Sequence, residues 1–144
     1  MMCFAYRRRV SFHETDAAGI MHFSNVLRLF EEAEHAFFRH LGTSVFQPES
    51  DGSYLSFPRV TVGSEFLRPL RFEQEVDVEV HVQALGRTSI TWGFAVVDVR
   101  GETAARGTMK VVCSRHDSHT DGLRPVPVPE RLRGALTPYL VSVT

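Results

Sequence analysis

The residues of this chain whose types and spacing could support chemistry lie in the segment 12–25. Asp16 stands three positions before Gly19, and the only long amphipathic pattern in the sequence begins a few residues later. The first backbone N–H groups of a helix have no partner inside the helix, so they can bind developing negative charge. An ionised carboxylate beside such donors supplies a base or nucleophile together with an oxyanion site. This pair is the minimum equipment for acyl transfer.

Four residues of the segment are candidates for this site. Asp16 is the candidate nucleophile or general base, since a carboxyl group in an ordinary setting is ionised at neutral pH. The alternative is a loop aspartate that only satisfies backbone donors. The backbone N–H of Phe23, at the predicted helix start, is the candidate oxyanion donor, and Gly19 belongs to the loop before it. His22 could contact an acyl group or help to position water, and a half-buried histidine that only packs is an equal alternative.

Other polar residues nearby receive a structural interpretation. Glu14 lies two positions before Asp16, so both carboxylates can face one side of an extended backbone, but a solvated or structural glutamate is favoured. His13, with Asp16 and His22, lacks a recognised ligand spacing, so we expect no metal. A polar turn at residues 116–122 predicts a loop, and a phosphate-binding glycine loop is absent from the sequence.

Length and composition narrow the possible function classes. The chain has 144 residues, with 43% hydrophobic and 23% charged residues, and we expect a single domain over residues 1–144. A net charge of -1 gives no electrostatic case for a nucleic-acid or anionic-membrane partner. No apolar run approaches the ~20 residues of a membrane span, and the N-terminus lacks the pattern of a signal peptide. Because the two cysteines are not spaced as a ligand pair, we expect a cytoplasmic protein with reduced thiols.

A strand and a helix must position the candidate residues. Residues 4–12 alternate apolar and polar side chains, which predicts a first strand with one buried face. Residues 24–41 carry an apolar stripe at helical spacing, with Ser24 or Asn25 as the cap and Gly42 as the stop. The later sequence predicts a short helix over 130–139 and four strands, at 57–66, 76–82, 89–100 and 103–114. Long strands with short connections favour an antiparallel meander.

The stretch from Asp16 through two small residues and Gly19 to the predicted helix resembles a known signature. It is that of the 4-hydroxybenzoyl-CoA thioesterase branch of the hotdog-fold superfamily. The resemblance covers most of the chain and implies an α+β hotdog fold, in which a curved antiparallel sheet of about five strands wraps one long central helix. The pattern of elements predicts the same architecture. The resemblance also implies hydrolysis of the thioester of an aryl- or short-chain acyl-CoA.

The same resemblance implies that coenzyme A is part of the substrate, with no separate cofactor. Arg87, with Thr88 and Ser89 after a glycine turn, is the best candidate for contacting CoA phosphates, and Arg59 and Arg68 are weaker ones. An unpaired sheet edge exposes backbone groups that promote aggregation. Hotdog proteins pair these edges between subunits, so the resemblance implies a homodimer or homotetramer. No nucleic-acid or membrane partner is expected.

Two other functions fit the same residues. A hotdog hydratase or dehydratase would use Asp16 with His22 to move protons on an acyl chain, but the glycine-containing loop matches the thioesterase pattern better. A non-catalytic acyl-CoA-binding module would bind the thioester without turnover. Thiol release from acyl-CoA and hydration of enoyl-CoA distinguish these functions.

The sequence does not name the acyl group. Phe57, Phe66 and Trp92 could line an aromatic pocket, but a core position is the default interpretation for each. Acyl carrier protein is also a possible carrier of the thioester in place of CoA.

Overall fold

A computed structural model describes residues 2–117 and 122–141 of the protein, so most of the turn predicted at 116–122 lies outside the described residues. The strands and helices in chain order are β1 (Phe4–Arg9), α1 (Phe23–His40), β2 (Gln47–Pro48), β3 (Tyr54–Ser56), β4 (Arg59–Phe66), β5 (Glu75–Leu85), β6 (Ser89–Asp98), β7 (Thr103–Val112), β8 (Ser114–His116), β9 (Leu123–Pro125) and α2 (Glu130–Leu136). Short 3-10 turns occupy Phe12–Glu14 and Thr137–Tyr139. Within the described residues, no helix has both the length and the apolar surface that a membrane crossing requires.

Five strands form one antiparallel sheet around α1, in the order β1-β5-β6-β7-β4. The helix turns its apolar stripe toward the sheet, and Phe30, Phe37 and Phe38 are each at most 1% exposed. Phe30 stacks on Phe94 of β6, with ring centroids 4.6 Å apart. Burial of each such side chain contributes roughly 1.5–3 kcal/mol, so packing on the sheet, more than helix propensity, holds α1. The predicted architecture of one long helix wrapped by a five-stranded sheet is confirmed.

Strand β4 has a different neighbour from the one that a simple meander predicts. β5, β6 and β7 follow one another as expected, but β4 pairs with β7, so it lies at the edge of the sheet opposite β1. The chain therefore crosses the end of the sheet in residues 67–74, where Leu70 is buried. The N–H groups of Leu67 and Arg68 both donate to the carbonyl of Ala104, at 2.8 and 3.0 Å. Strand order depends on contacts distant in sequence, which a local pattern does not record.

A second, small sheet in the order β2-β3-β8-β9 was not predicted. Its strand β3 precedes the strand expected at 57–66, which begins only at Arg59, as β4, after Pro58, a residue with no backbone N–H to donate. The small sheet also takes the end of the strand expected at 103–114, where β7 stops at Val112 and β8 begins at Ser114.

The first strand is shorter than predicted, because β1 ends at Arg9 and not at residue 12. The chain then turns: the N–H of Glu14 donates to the carbonyl of Ser11 at 3.0 Å, and the N–H of Ser11 donates to the Glu14 carboxylate at 2.8 Å. Phe12 consequently leaves the buried face of the strand and is 74% exposed. At the other end of α1, Gly42 has φ of 81°, in agreement with the predicted stop.

Candidate functional site

The segment between β1 and α1 folds into a tight loop around Asp16. The Asp16 carbonyl accepts the N–H of Gly19, and the Asp16 N–H donates to the carbonyl of Ile20, both at 2.9 Å. Gly19 has φ of 79°, in the left-handed region that a residue without Cβ adopts at little cost. The Asp16 Oδ1 atom accepts the N–H of Ala18 at 2.9 Å, and no described residue bonds to the other carboxylate oxygen. The turn thus orients the carboxylate and leaves one oxygen for a substrate or water.

Helix α1 begins beside this loop with His22 as its N-cap, so the predicted caps, Ser24 and Asn25, are wrong. The His22 Nδ1 atom lies 2.7 Å from the Ser24 hydroxyl and accepts the Ser24 N–H at 3.3 Å. Serine and asparagine are common caps and histidine is not, which explains the error. The N–H of Phe23 has no hydrogen-bond partner among the described residues. A helix N–H that can bind an anion is therefore present, while the proposed contact of His22 with an acyl group or water stays a prediction.

Asp16 lies on the wall of an apolar pocket of about 540 Å³. The pocket walls come from three places in the chain: the loop before α1 together with the start of the helix, the end of β4 with the segment after it, and β7. Their apolar side chains include Met21, Phe23, Val26, Phe66, Leu67 and Ala105. The charged residues of the wall are Asp16 and Arg68, and Arg68 forms an ion pair with Glu102 at 3.2 Å. A mostly apolar pocket with one free carboxylate suits an uncharged acyl group beside a reacting centre.

Two exposed aromatic residues flank the pocket. Phe23 and Phe66 are 63% and 53% exposed, and their rings meet edge to face with centroids 6.2 Å apart. Of the three aromatic residues nominated from the sequence, Phe66 lines the pocket, whereas Phe57 and Trp92 belong to the core. Sequence reasoning missed the walls contributed by Leu67 and Ala105, because no local signal predicts which distant segments meet.

The candidate phosphate contacts lie at the opposite end of the sheet from Asp16. β5 spans 11 residues, or roughly 33 Å, and the turn with Arg87, Thr88 and Ser89 follows its far end. The N–H of Gly86 donates to the carbonyl of Ser89 at 2.9 Å, and Arg133 of α2 donates to the carbonyl of Gly86 at 2.6 Å. The Arg87 side chain is exposed and has no partner in the part of the chain that the structure describes. A single copy of the chain does not bring this turn and Asp16 together.

Arg59 also lies at the far end, where it joins the edge strand to the helix. Its guanidinium bonds to Glu34 at 2.7 Å and to Glu31 at 3.1 Å, and the Glu34 side chain is 0% exposed. Burial raises the pKa of the Glu34 carboxyl, and the Arg59 charge opposes that rise. These bonds favour a structural role for Arg59 over a contact with phosphate.

No described group of three or more His, Cys, Asp or Glu side chains is placed to hold a metal ion. His13 is exposed on the 3-10 turn, and His22 is bonded to Ser24. The structure therefore offers no set of ligands that would link these histidines to Asp16.

Comparison with known proteins relates the sequence and fold of this chain to a superfamily. The sequence profile of the thioesterase-like superfamily matches residues 10–136. The chain is 31% identical over 116 residues to a 1,4-dihydroxy-2-naphthoyl-CoA hydrolase of Trichodesmium erythraeum, covering 78% of this chain and 82% of that protein. It is also similar to the dynemicin thioesterase, which binds polyene, with a TM-score of 0.84, 26% identity and coverage of 99% and 100% of the two chains. A gentisyl-coenzyme A thioesterase matches with a TM-score of 0.75 and 26% identity, covering 90% of this chain and 99% of that one.

Proposed function

Because the chain belongs to the thioesterase-like superfamily, we propose that it hydrolyses the thioester of an aryl- or short-chain acyl-CoA in the pocket beside Asp16. The prediction of a thioester hydrolase is confirmed at the level of the family. The observation that carries the finer proposal is a single apolar pocket that contains both Asp16 and Phe23 in its wall. The first supplies a carboxylate and the second a helix N–H without a partner among the described residues.

In the proposed reaction, the acyl group lies in the apolar pocket and its thioester carbonyl faces Asp16. In one route the carboxylate attacks the carbonyl carbon and expels the thiolate, and water then hydrolyses the resulting mixed anhydride to free the acid and restore Asp16. In the other route the carboxylate removes a proton from a water that attacks the carbonyl carbon, and the thiolate leaves with the acid as the other product. The oxyanion forms near the N–H of Phe23, and loss of one such donor typically costs ~10²–10³-fold in rate. The thiol of coenzyme A leaves without strong acid help, since a thiol of this kind has a pKa of ~8.5. One carboxylate and one helix end can thus carry the reaction.

Aryl thioesters are the substrates that the pocket favours. Its wall is mainly apolar, and the rings of Phe23 and Phe66 offer edges and faces to a flat acyl group. The other charged residue of the wall, Arg68, already forms an ion pair with Glu102. The name of the Trichodesmium relative makes aryl-CoA the first class to test.

We propose that the enzyme is a homodimer in which the β4 edges of two copies pair. β4 has one edge without a strand partner among the described residues, and Val60 and Val62 on it are 59% and 40% exposed. In an antiparallel pair, the Phe66 end of one β4 lies beside the Arg59 end of the other. The end of the sheet that carries Arg87 then faces the partner's pocket, which would allow Arg87 to reach the nucleotide of CoA bound there.

The alternative functions receive no specific support. A hydratase needs His22 for proton transfer, but its Nδ1 atom is engaged with Ser24 at the helix start. The reaction proposed above gives no role to a metal ion or a cofactor, and coenzyme A enters only as part of the substrate. We place the protein in the cytoplasm, as its sequence predicts.

A kcat/KM profile tests the proposed function. Thiol release is followed with a chromogenic reagent across aryl, short-chain and long-chain acyl-CoA, and enoyl-CoA hydration is followed in parallel by ultraviolet absorbance. We expect thiol release, with the highest kcat/KM on aryl or short acyl groups. Tight binding of acyl-CoA without thiol release would contradict the proposed thioester hydrolysis. Hydration of enoyl-CoA without hydrolysis would favour the hydratase function. Acyl thioesters on acyl carrier protein, measured beside the same acyl-CoA, identify the carrier.

Replacement of Arg87 by alanine should raise KM for acyl-CoA and leave kcat nearly unchanged. A contact far from the thioester binds the ground state and the transition state about equally. A charge-assisted hydrogen bond contributes ~1.5–3 kcal/mol, so KM should rise roughly ten- to a hundredfold. On an acyl thioester that lacks the nucleotide, the variant and the wild type should behave alike. Equal weakening on both substrates would assign Arg87 a structural role.

The second measurement in solution is the molar mass. Light scattering at micromolar concentration should give at least twice the 16.3 kDa mass of the chain, because the edge of β4 exposes backbone donors and apolar side chains. A mass four times that of the chain would indicate a tetramer. A monomer at this concentration would contradict edge pairing and, with it, the reach of Arg87 into a partner's pocket.

A further inference from the structure

Glu14 is a buried carboxylate next to the proposed site that the reaction does not use. It ends the 3-10 turn Phe12–Glu14, two residues before Asp16, and it is 4% exposed. Burial of a carboxylate costs desolvation free energy, which ion pairing and hydrogen bonding must offset. Its partners therefore show what the residue holds in place.

The Glu14 side chain joins the loop to β1 and, through β1, to the helix. Its carboxylate accepts the N–H of Ser11 at 2.8 Å and is paired with Arg8, whose side chain is 14% exposed. The same guanidinium bonds to both carboxylate oxygens of Glu32 on α1, at 2.8 and 2.9 Å. Tyr6 also donates to Glu32 at 3.2 Å. A largely buried arginine thus holds one carboxylate from the loop and one from the helix.

The Glu14 backbone makes the second half of the connection. Its carbonyl accepts the N–H of His22 and the side-chain amide of Asn25, both at 2.9 Å. His22 caps the helix and Asn25 lies in its first turn, so the carbonyl is bonded to the helix start at two points. The intervening loop is closed further by a β-bridge between Thr15 and Met21. Both ends of the loop that carries Asp16 are therefore fixed against the N-terminus of α1.

We propose that Glu14 and Asn25 are positioning residues, which set the distance between the Asp16 carboxylate and the N–H of Phe23. The inference rests on the proposed function, because that distance matters only if both groups act on one thioester. Neither residue touches the substrate in the proposed reaction. A displacement of about 1 Å in such a pair can cost on the order of 10²-fold in rate, whereas binding of the nucleotide at a remote site is unaffected.

The test uses Glu14→Gln, Asn25→Ala and the double variant in the full chain. Neither substitution adds a negative charge, so a lower rate cannot come from repulsion of the oxyanion. Each single variant should lower kcat about 10- to 100-fold, with KM for acyl-CoA within about twofold of wild type. The kcat of the double variant should be only slightly lower than that of the less active single variant, because both residues act through one loop. The matched control is Asp77→Asn, which breaks an exposed ion pair between Asp77 of β5 and Arg7 of β1 and leaves the loop untouched.

Amide hydrogen exchange provides a readout that does not depend on turnover. Exchange at Asp16 and His22 should become faster in both variants but not in Asp77→Asn, while the buried turn of α1 around Phe37 keeps its protection. Wild-type kcat in the variants would overturn the inference, whatever their thermal stability. If the wild type hydrolyses no thioester, the proposed function fails; faster exchange confined to residues 15–23 would still support the positioning of the loop, and unchanged exchange would overturn that as well.

Discussion

Asp16→Asn should lower kcat by about 10²–10⁴-fold, the usual contribution of a positioned base. The asparagine side chain has the same shape, and its Oδ1 atom can still accept the N–H of Ala18, so the turn around Gly19 should persist. What disappears is the charge and basicity of the carboxylate oxygen that has no described partner. KM and the melting temperature should therefore stay close to those of the wild type while turnover falls.

A second aspartate in a similar turn offers a matched control for this variant. Asp51 accepts the N–H of Ser53 at 2.9 Å, as Asp16 accepts that of Ala18, but Asp51 does not belong to the pocket wall. Asp51→Asn should leave kcat unchanged. If Asp16→Asn keeps more than about a tenth of wild-type kcat, the carboxylate is neither nucleophile nor base, and its role is the structural one of a turn aspartate.

Arg59→Ala should lower the free energy of unfolding by about 3–5 kcal/mol at neutral pH. The substitution removes the charge that faces Glu34, and the Glu34 side chain is 0% exposed, so a carboxylate is left buried without its partner. Urea denaturation at pH 7 measures the change. The double variant Arg59→Ala/Glu34→Gln should recover part of the loss, because the buried negative charge is then gone as well.

The loss of unfolding free energy in Arg59→Ala should also depend on pH, and the burial of Glu34 determines the direction of this dependence. Burial raises the pKa of the Glu34 carboxyl above its usual range, and removal of Arg59 raises it further. Folding then favours the protonated form, so the penalty is absent below the pKa of the unfolded carboxyl and grows as pH rises toward the raised pKa of the folded state. The deficit of Arg59→Ala should accordingly be smaller at pH 5 than at pH 7. Arg7→Ala, which breaks an exposed pair, should show a much smaller change with little dependence on pH.

Local patterns in the sequence were sufficient to predict the helix, the principal strands and the loop around Asp16. The apolar residues of α1 recur at helical spacing, and those of the strands alternate with polar residues. A glycine three residues after an aspartate marks a turn. These signals lie within a few residues of one another. For the same reason, the prediction of Gly42 as the stop residue just after α1 was correct.

Features that depend on distant contacts were not predictable in this way. The neighbour of β4, the walls of the pocket and the distance from Arg87 to Asp16 all follow from strand order. The cap formed by His22 depends on how an imidazole ring turns toward Ser24, which no spacing records. Arg59 was read as a possible phosphate contact because its charge is visible in the sequence and its buried partner, Glu34, is 25 positions away.

The edge strand β4 also supplies Phe66 to the wall of the pocket. The total rate of thioester hydrolysis would therefore not be proportional to the concentration of the protein. In the proposed dimer, dilution below the dissociation constant would remove the partner strand that supports this wall. Each molecule would then work more slowly, in addition to there being fewer of them. A cell could therefore reduce thioester hydrolysis more steeply than it reduces the amount of the protein, with no effector molecule and no covalent modification.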